Sequence, residues 1–196
     1  NTIIPENVEI VGTVNGTIEL KDFDLTINGS FDAGLYQMFS GTGKVDFSKR
    51  SIKTFYPQWW GAMADGIYDD SDPIQKALDS AGRLGGGDVR AIAGIYFSTK
   101  ALMVPSHVKF YGDGIGKTII LNPAGGIHGY SDGGWINSSV GTVGTTHSTI
   151  SDMTIDHITN GTNTNGVSLV SKGEHKGVIP NGTPTTFAVI ERVEVK

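Results

Sequence analysis

Two carboxylates and a histidine around one short β-run have the side-chain chemistry of a catalytic site. Asp152 and Asp156 stand at the two ends of the run, and His157 titrates near neutral pH. Glycoside hydrolysis uses two carboxylates, whereas removing a proton beside a uronate carboxyl group requires a base. A strand of four residues spans ~13 Å, more than the ~5–9.5 Å between paired glycosidase carboxylates. We therefore expect Asp152, Asp156 and His157 to contribute to catalysis separately, or to be polar residues at the ends of a strand.

A polar segment with two aromatic residues is the candidate region for ligand binding. Residues 122–147 are rich in Gly, Ser, Thr and Asn, which predicts long loops. Loops carry much of the binding surface of rigid folds. Tyr130 and Trp135 can stack on sugar rings, and His128 can form hydrogen bonds with hydroxyl groups. We therefore predict that His128, Tyr130 and Trp135 bind a substrate.

An acidic turn in the first half of the chain must position the elements around it. Asp65-Gly66 is a turn dipeptide, and Ser71 is a good N-cap for a following helix. Asp69 and Asp70 stand where a helix dipole favours carboxylates. All five residues are therefore predicted to form a structural turn and helix cap. A divalent cation such as calcium is the alternative, but it wants about six to eight oxygen ligands, so no metal and no cofactor are predicted.

An amphipathic helix is predicted over residues 72–84, directly after the acidic turn. Its apolar residues recur at helical spacing, at Ile74, Ala77, Leu78 and Ala81. The triple glycine 85–87 then ends the helix, because glycine is the preferred residue past a helix C-terminus.

The remainder of the chain reads as short β-strands separated by turns. Residues 1–56 alternate short β-runs with turn signals and are predicted to form a β-rich N-terminal extension or cap. The aromatic cluster at 55–60 is expected to pack at the seam with residues 57–196, or to offer a platform for sugars. Residues 150–155 and 190–195 share one apolar pattern, 40 residues apart. A chain that ends directly after such a strand is expected to be a fragment, or to be covered by an oligomer.

Composition and motifs exclude several classes of function. The net charge is -5 and no basic cluster is present, so no nucleic-acid partner is expected. No apolar run is long enough to predict membrane insertion. Residues 112–118 end in Gly-Lys-Thr like a phosphate-binding loop, but Tyr111 occupies the position of the first glycine that such a loop requires. This segment is therefore interpreted as a glycine-rich corner between two strands.

The acidic turn, the helix and the glycines together resemble the start of a known fold. The pattern GA-x-x-DG-x-x-DDS, a short helix, GGG and a strand ending in AG-x-Y is similar to that of the pectate-lyase-like superfamily. The matching segments are 61–62, 65–66, 69–71, 85–87 and 93–96. The resemblance covers about residues 57 to 121 and implies an all-β fold, a right-handed parallel β-helix with a short N-terminal capping α-helix. The strands at 57–196 are then its first turns.

The same resemblance implies a carbohydrate-processing function without fixing the reaction. Phage tailspikes, polysaccharide lyases, hydrolases and uronate epimerases share this scaffold. The leading prediction is a tailspike-like depolymerase that cleaves a bacterial surface polysaccharide by hydrolysis or β-elimination, the full-length protein being a polysaccharide lyase or a glycoside hydrolase. A uronate C5-epimerase and a non-catalytic polysaccharide-binding or structural module are the alternatives. Resemblance to tailspikes further implies a homotrimer with an extracellular or virion-associated location.

Overall fold

Parallel β-strands and one helix make up most of the regular structure. The protein is described by a computed structural model at residues 1–49, 51–100, 102–122, 129–131, 134–136, 138–143, 147–157, 165–170 and 189–195. The strands of the N-terminal part are β1 (Thr2–Ile4), β2 (Ile10–Val11), β3 (Ile18–Leu20), β4 (Leu25–Ile27), β5 (Phe31–Asp32), β6 (Phe39–Gly41), β7 (Val45–Phe47), β8 (Thr54–Phe55) and β9 (Asp65–Asp69). A 3₁₀ helix at Pro57–Trp60 and the helix α1 (Ser71–Arg83) accompany them.

The remaining strands follow α1. They are β10 (Gly87–Arg90), β11 (Gly94–Phe97), β12 (Leu102–Met103), β13 (Val108–Tyr111), β14 (Thr118–Asn122), β15 (Gly129–Ser131), β16 (Gly134–Ile136), β17 (Ser138–Val143), β18 (Thr149–His157), β19 (Asn165–Val170) and β20 (Val189–Val195). Only β15 and β16 pair in antiparallel fashion among the strand pairs of the described residues.

The pairing order shows a chain that winds repeatedly around three faces. The first face contains β8, β10, β13 and the first part of β18, and the second contains β9, β11, β14 and the second part of β18. The third face contains β12, β17 and β19. The chain visits the faces in this order in each turn, and all of these pairings are parallel. The predicted parallel β-helix is therefore confirmed.

The 40-residue repeat is the spacing between one coil and the next. β18 pairs with β20 in parallel, with Ile150 opposite Ile190 and Ile155 opposite Val195. Because the repeats pair directly, the 40 residues are one coil that includes β19, and not two coils. On β18 the apolar residues of this pattern, Ile150, Met153 and Ile155, are fully buried. On β20 their register partners Ile190 and Val195 are 39% and 54% exposed.

The first residues of the chain also form stacked parallel strands. β1, β4 and β7 pair in order, with Thr2 opposite Leu25 and Leu25 opposite Val45. β2 pairs with β5, and β3 pairs with β6, again in parallel. Each of these coils is therefore about as long as the first coil after α1, where Asp88 pairs with Lys109, and shorter than the coil in which Lys109 pairs with Thr149.

α1 stands where the third face would otherwise have a strand, between β9 of the second face and β10 of the first. Its four predicted apolar residues are all fully buried against the coils, at Ile74, Ala77, Leu78 and Ala81. On the opposite side, Ser80 Oγ donates to the carbonyl of Val45 at 2.8 Å and Arg83 pairs with Asp46 at 2.5 Å. The helix therefore covers the apolar interior and is fixed to β7.

The helix begins one residue earlier than predicted, and its N-cap position is Asp70 and not Ser71. The backbone N–H of Ser71 donates to Asp69 Oδ1 at 3.0 Å, so that carboxylate satisfies a free helix donor from outside the helix. The hydroxyl of Ser71 instead accepts the N–H of Thr99 at 2.9 Å. Ser71 thus connects the helix to the segment that follows β11 in the next coil.

An aromatic cluster fills the interior where the N-terminal coils meet the acidic turn. Phe47 lies edge-on to Phe55, with ring centroids 5.5 Å apart, and Phe31 lies edge-on to Trp59 at 5.0 Å. Phe55, Trp59 and Trp60 are buried, and the seam packing predicted for this cluster matches their position. Across the described residues, no helix has the length and apolar character needed to span a membrane.

Candidate functional site

Asp152 lies at the corner where β18 turns from the first face to the second. Its φ of 57° is left-handed, which lets one residue make the turn. The carboxylate forms two hydrogen bonds with the guanidinium of Arg192, from Nε to Oδ1 and from Nη2 to Oδ2 at 2.8 Å. Arg192 lowers the pKa of Asp152 to about 2. A carboxylate with this pKa is ionised at neutral pH but binds protons weakly, so it is poorly suited to act as a general base. Its two hydrogen bonds with Arg192 are those of a structural ion pair.

Asp156 and His157 lie on the second face, past the corner that Asp152 makes. The register places Asp156 opposite Leu121 and His157 opposite Asn122 on β14. The Asp156 side chain is half-buried. The structure does not bring Asp152 and Asp156 together, because the turn at Asp152 assigns them to different faces. A catalytic role of each of the three residues stays a prediction.

Two of the three predicted substrate-binding residues, Tyr130 and Trp135, lie just before the third face. Tyr130 on β15 is directly opposite Trp135 on β16 in an antiparallel pair. This pair precedes β17, so the chain passes through it on entering the third face. His128 lies outside the described residues. Substrate binding by these three residues therefore also stays a prediction.

The acidic turn is held together by its own carboxylates. Asp65 Oδ1 accepts the N–H groups of Ile67 and Tyr68 at 2.9 and 3.0 Å. These two hydrogen bonds lower the pKa of Asp65, and the bond from Tyr68 makes the larger contribution. Buried Asp70 accepts the N–H groups of Met63 and Ala64 at 2.7 and 3.0 Å. Burial outweighs those bonds and raises the pKa of Asp70.

Asp69 completes the turn by joining α1 to the loop after β11. Its carboxylate accepts hydrogen bonds from Ser71 and, at 2.5 Å, from the hydroxyl of Thr99. Partial burial raises the pKa of Asp69, but these hydrogen bonds outweigh it and the pKa is lowered. Carboxylates engaged in this way fit the predicted role as a turn and cap. Among the described residues, no group of three or more His, Cys, Asp or Glu side chains could hold a metal ion.

A surface with tyrosines and cations covers the first face beside the Asp152 corner. We call it the tyrosine–cation face; it consists of Tyr56, Arg90, Lys109 and Tyr111. Arg90 and Tyr111 are opposite each other on β10 and β13, and Lys109 Nζ lies 5.0 Å from the centroid of the Tyr111 ring. Arg90 pairs with Asp113 at 2.8 Å and also interacts with Tyr56. Partial burial, followed by the charge of Asp88, raises the pKa of Tyr111.

Sequence reasoning missed this face because its residues are far apart in the chain. Lys109 follows Asp88, its partner in the register, by 21 residues. Aligning the buried residues Val89 and Phe110 at that spacing would have placed Arg90 beside Tyr111. Chemically, the face offers aromatic rings to stack on sugars and cations to attract carboxylates.

Comparison with known proteins gives the chain a set of relatives that act on polysaccharides. No protein-family model matches the sequence. The chain is 34% identical over 189 residues to mannuronan C5-epimerase AlgE1 of Azotobacter vinelandii, an alignment that covers 90% of this chain and 13% of the epimerase. It is 37% identical over 148 residues to alginate lyase 7 of the same organism, covering 70% of this chain and 16% of the lyase.

A solved structure is similar as well. The A-module of the A. vinelandii mannuronan C5-epimerase AlgE4 has 28% identity and a TM-score of 0.49, with 71% of this chain and 37% of that chain covered. The chain spans less than a fifth of the length of AlgE1 and of alginate lyase 7. Over most of its own length, it is thus homologous to a small part of bacterial proteins named for epimerising mannuronan or cleaving alginate.

Proposed function

We propose that this chain is part of an enzyme that acts at C5 of the uronate units of an acidic polysaccharide, as a mannuronan C5-epimerase or an alginate lyase. The observation that carries the proposal is the identity of 34% to an epimerase and 37% to a lyase, each over 148 residues or more. This favours β-elimination, which is part of the leading prediction, and the C5-epimerase alternative over hydrolysis by a tailspike. An extracellular location belongs to the same proposal, because such polymers lie outside the cell.

The two reactions share one chemical step. A base removes the proton from C5, next to the uronate carboxyl group, while a neutralising group stabilises the charge that develops. An epimerase then returns a proton to the opposite side of C5. A lyase instead expels the oxygen substituent at C4 and leaves an unsaturated sugar. One β-helix can therefore support either outcome, depending on whether a second group returns a proton to C5 or protonates the oxygen that leaves C4.

The tyrosine–cation face supports binding of such a polymer. Stacked coils repeat along the solenoid axis at ~4.8 Å, so side chains on one face form an extended surface for an extended chain. Lys109 is half-buried over Tyr111, which fixes its ammonium group near the ring. A cation held beside an aromatic ring suits a sugar that carries a carboxylate. Arg90 shares its charge with Asp113, so Lys109 is expected to be the stronger contact.

Proton exchange at C5 tests the proposal most sharply. The protein in its longest natural form is incubated with polymannuronate in D₂O, and the polymer is analysed by NMR and by absorbance near ~235 nm. Deuterium at C5 with inverted configuration identifies an epimerase, and absorbance from an unsaturated uronate identifies a lyase. New reducing ends without either signal would contradict the proposal and support hydrolysis.

A non-catalytic polysaccharide-binding module is the second candidate. The observation in its favour is the ion pair of Asp152 with Arg192, which leaves the best sequence candidate engaged in a structural contact. Retention of the protein on alginate, with neither deuterium at C5 nor an unsaturated product, would support this alternative. The homotrimer and virion association, both implied only by resemblance to tailspikes, gain no support from the relatives.

A further inference from the structure

A cavity of about 370 Å³ lies between the N-terminal coils and β8. Its lining consists of residues 31–33, residues 51–54, Tyr56 and Trp59. The volume falls in the ~300–1,000 Å³ range of small-molecule sites. A site of this size can hold one sugar unit.

The cavity occupies a gap in the stacking of the coils. β5 pairs with β2, and β8 pairs with β10. No strand pairing within the described part of the chain joins β5 to β8, although residues of both strands line the cavity. The cavity is therefore located where the N-terminal coils give way to the coils around α1.

The tyrosine–cation face continues directly into this cavity. Tyr56 belongs to both, and Thr54, which lines the cavity, interacts with the side chain of Tyr111. Thr54 is in register with Asp88, which is in register with Lys109. Two steps between coils, or ~10 Å, therefore separate Thr54 from Lys109. A polymer that lies along the solenoid axis on the tyrosine–cation face would reach the cavity within a few sugar units.

Aromatic rings form one wall of the cavity. Trp59 is 4% exposed and lies edge-on to Phe31 and Tyr56, with ring centroids 5.0 and 5.3 Å apart. Its Nε1 donates to the carbonyl of Gly34 at 2.9 Å, so the indole is fixed and its only polar group is engaged. The half-buried rings of Phe31 and Tyr56 complete this wall. Such a wall suits the apolar face of a pyranose ring.

One acidic and one basic side chain stand at the same cavity. Asp32 and Lys53 are both exposed, and neither side chain forms an ion pair or a hydrogen bond with another described residue. A uronate unit complements both, because its carboxylate can pair with the ammonium group of Lys53 while a ring hydroxyl donates to Asp32. A neutral sugar would leave Lys53 unpaired, and a simple anion would meet repulsion from Asp32 without offering it a donor.

We propose that this cavity binds a uronate unit of the polymer that lies on the tyrosine–cation face, with the carboxylate on Lys53, a hydroxyl donating to Asp32 and the apolar side of the ring against Tyr56. The inference rests on the proposed function for the identity of the polymer. It adds that coils on the N-terminal side of α1 also bind the substrate.

Binding of oligomannuronates of increasing length tests the site. The protein in its longest natural form is immobilised, and fresh oligomers, from dimers to octamers, flow over it so that turnover does not deplete the ligand. Lys53→Gln removes the cation, and Lys53→Arg keeps it. Lys44→Gln removes an exposed lysine outside the cavity and is the charge-matched control. Melting temperatures establish that each variant is folded.

The unmodified protein is expected to bind octamers about tenfold more tightly than dimers, because only the longer oligomers can span both the tyrosine–cation face and the cavity. Lys53→Gln should remove most of this gain and change dimer binding much less, whereas Lys53→Arg and Lys44→Gln should keep the gain. Asp32→Ala should weaken octamer binding about threefold through loss of the hydroxyl acceptor. Removal of a negative charge would by itself strengthen the attraction to a polyanion, so the direction of this effect is diagnostic.

The inference is overturned if Lys53→Gln keeps the full gain with length, or if Lys53→Arg or Lys44→Gln loses it. Tighter binding of octamers by Asp32→Ala, or no binding at any length, would also overturn it. Exchange at C5 decides the proposed function separately. Lys53-dependent binding with neither exchange nor an unsaturated product would support this site and contradict the enzymatic proposal, and exchange without Lys53-dependent binding would do the reverse.

Discussion

Asp152 and Arg192 form an ion pair between consecutive coils of the solenoid, although they are 40 residues apart in the chain. Both residues have left-handed φ angles, of 57° and 50°, so each makes the same corner of its own coil. The pair therefore joins two equivalent corners and stabilises the stacking of β20 on β18. The ion pair thus engages one of the two carboxylates that the sequence offered as catalytic candidates.

This ion pair predicts a dependence of stability on pH. The folded-state pKa of Asp152 is about 2, below its usual 3.8. A lowered pKa stabilises the folded state above about pH 4, and that contribution is lost as the pH falls from about 4 to 2. Arg192→Gln should make the protein less stable near neutral pH and flatten this part of the pH profile. Urea unfolding at a series of pH values measures both effects.

The control for that experiment is an exposed ion pair. Glu19 and Lys21 are 3.6 Å apart, with side chains 62% and 73% exposed, so Glu19→Gln should change the stability very little. High salt should weaken the effect of Arg192→Gln, because the Arg192 side chain is itself exposed. An unchanged profile in Arg192→Gln would mean that Asp152 is not held by this partner.

Shortening a buried side chain of α1 should destabilise the whole solenoid. Leu78 on α1 is fully buried, and Leu78→Ala is expected to cost about 2–5 kcal/mol of unfolding free energy. Ile67, which is 76% exposed on β9, is the matched control, and Ile67→Ala should lie within about 0.5 kcal/mol of the unmodified protein. Denaturant unfolding gives both values. Equal effects of the two substitutions would contradict the role of α1 as a cover of the interior.

Two glycines with nearly the same φ angle allow the cost of backbone strain to be measured apart from the cost of steric clash. Gly41 and Gly85 have φ angles of 87° and 88°. A Cβ on Gly41 would lie 2.2 Å from the carbonyl oxygen of Leu20, whereas a Cβ on Gly85 would meet nothing within 4 Å. Gly85→Ala should therefore cost only the left-handed strain, about 1–2 kcal/mol. Gly41→Ala should cost clearly more, because a backbone atom must also move; thermal or urea unfolding of the two variants would show whether the order holds.

The tyrosine–cation face predicts selective loss of polyuronate binding. Lys109→Ala and Tyr111→Ala should each weaken binding to polymannuronate several-fold and leave binding to a neutral polymer unchanged. Lys44→Ala removes an exposed lysine elsewhere and serves as the control. Affinity electrophoresis at two salt concentrations measures these effects. Equal losses in Lys44→Ala would show that only net charge matters.

Local patterns in the sequence were enough to predict the elements and the fold. The apolar spacing of Ile74 to Ala81 gave α1, and the shared pattern of Ile150 and Ile190 identified coils that pair directly. Those predictions succeeded because each depends on a period that the backbone itself imposes. The exact N-cap was missed because Asp69 and Ser71 compete for the same free helix donors, and the outcome depends on Thr99 in the next coil.

Contacts between coils were harder to predict than the coils themselves. The repeat that aligns Ile150 with Ile190 also aligns Asp152 with Arg192, so the ion pair had a signal in the sequence. Lys109 and Tyr111 also had a signal, because residues two apart on a strand share a face. The contact between their side chains, however, depends on how they meet in three dimensions. A candidate site on a solenoid therefore requires the register of its coils as well as the types of its residues.

Exchange at C5 of polymannuronate in D₂O is the most direct test of the central claim. The protein is expected either to introduce deuterium at C5 with inversion of configuration, or to cleave the polymer and leave an unsaturated uronate that has lost its C5 hydrogen. New reducing ends with neither deuterium at C5 nor an unsaturated uronate would contradict this claim.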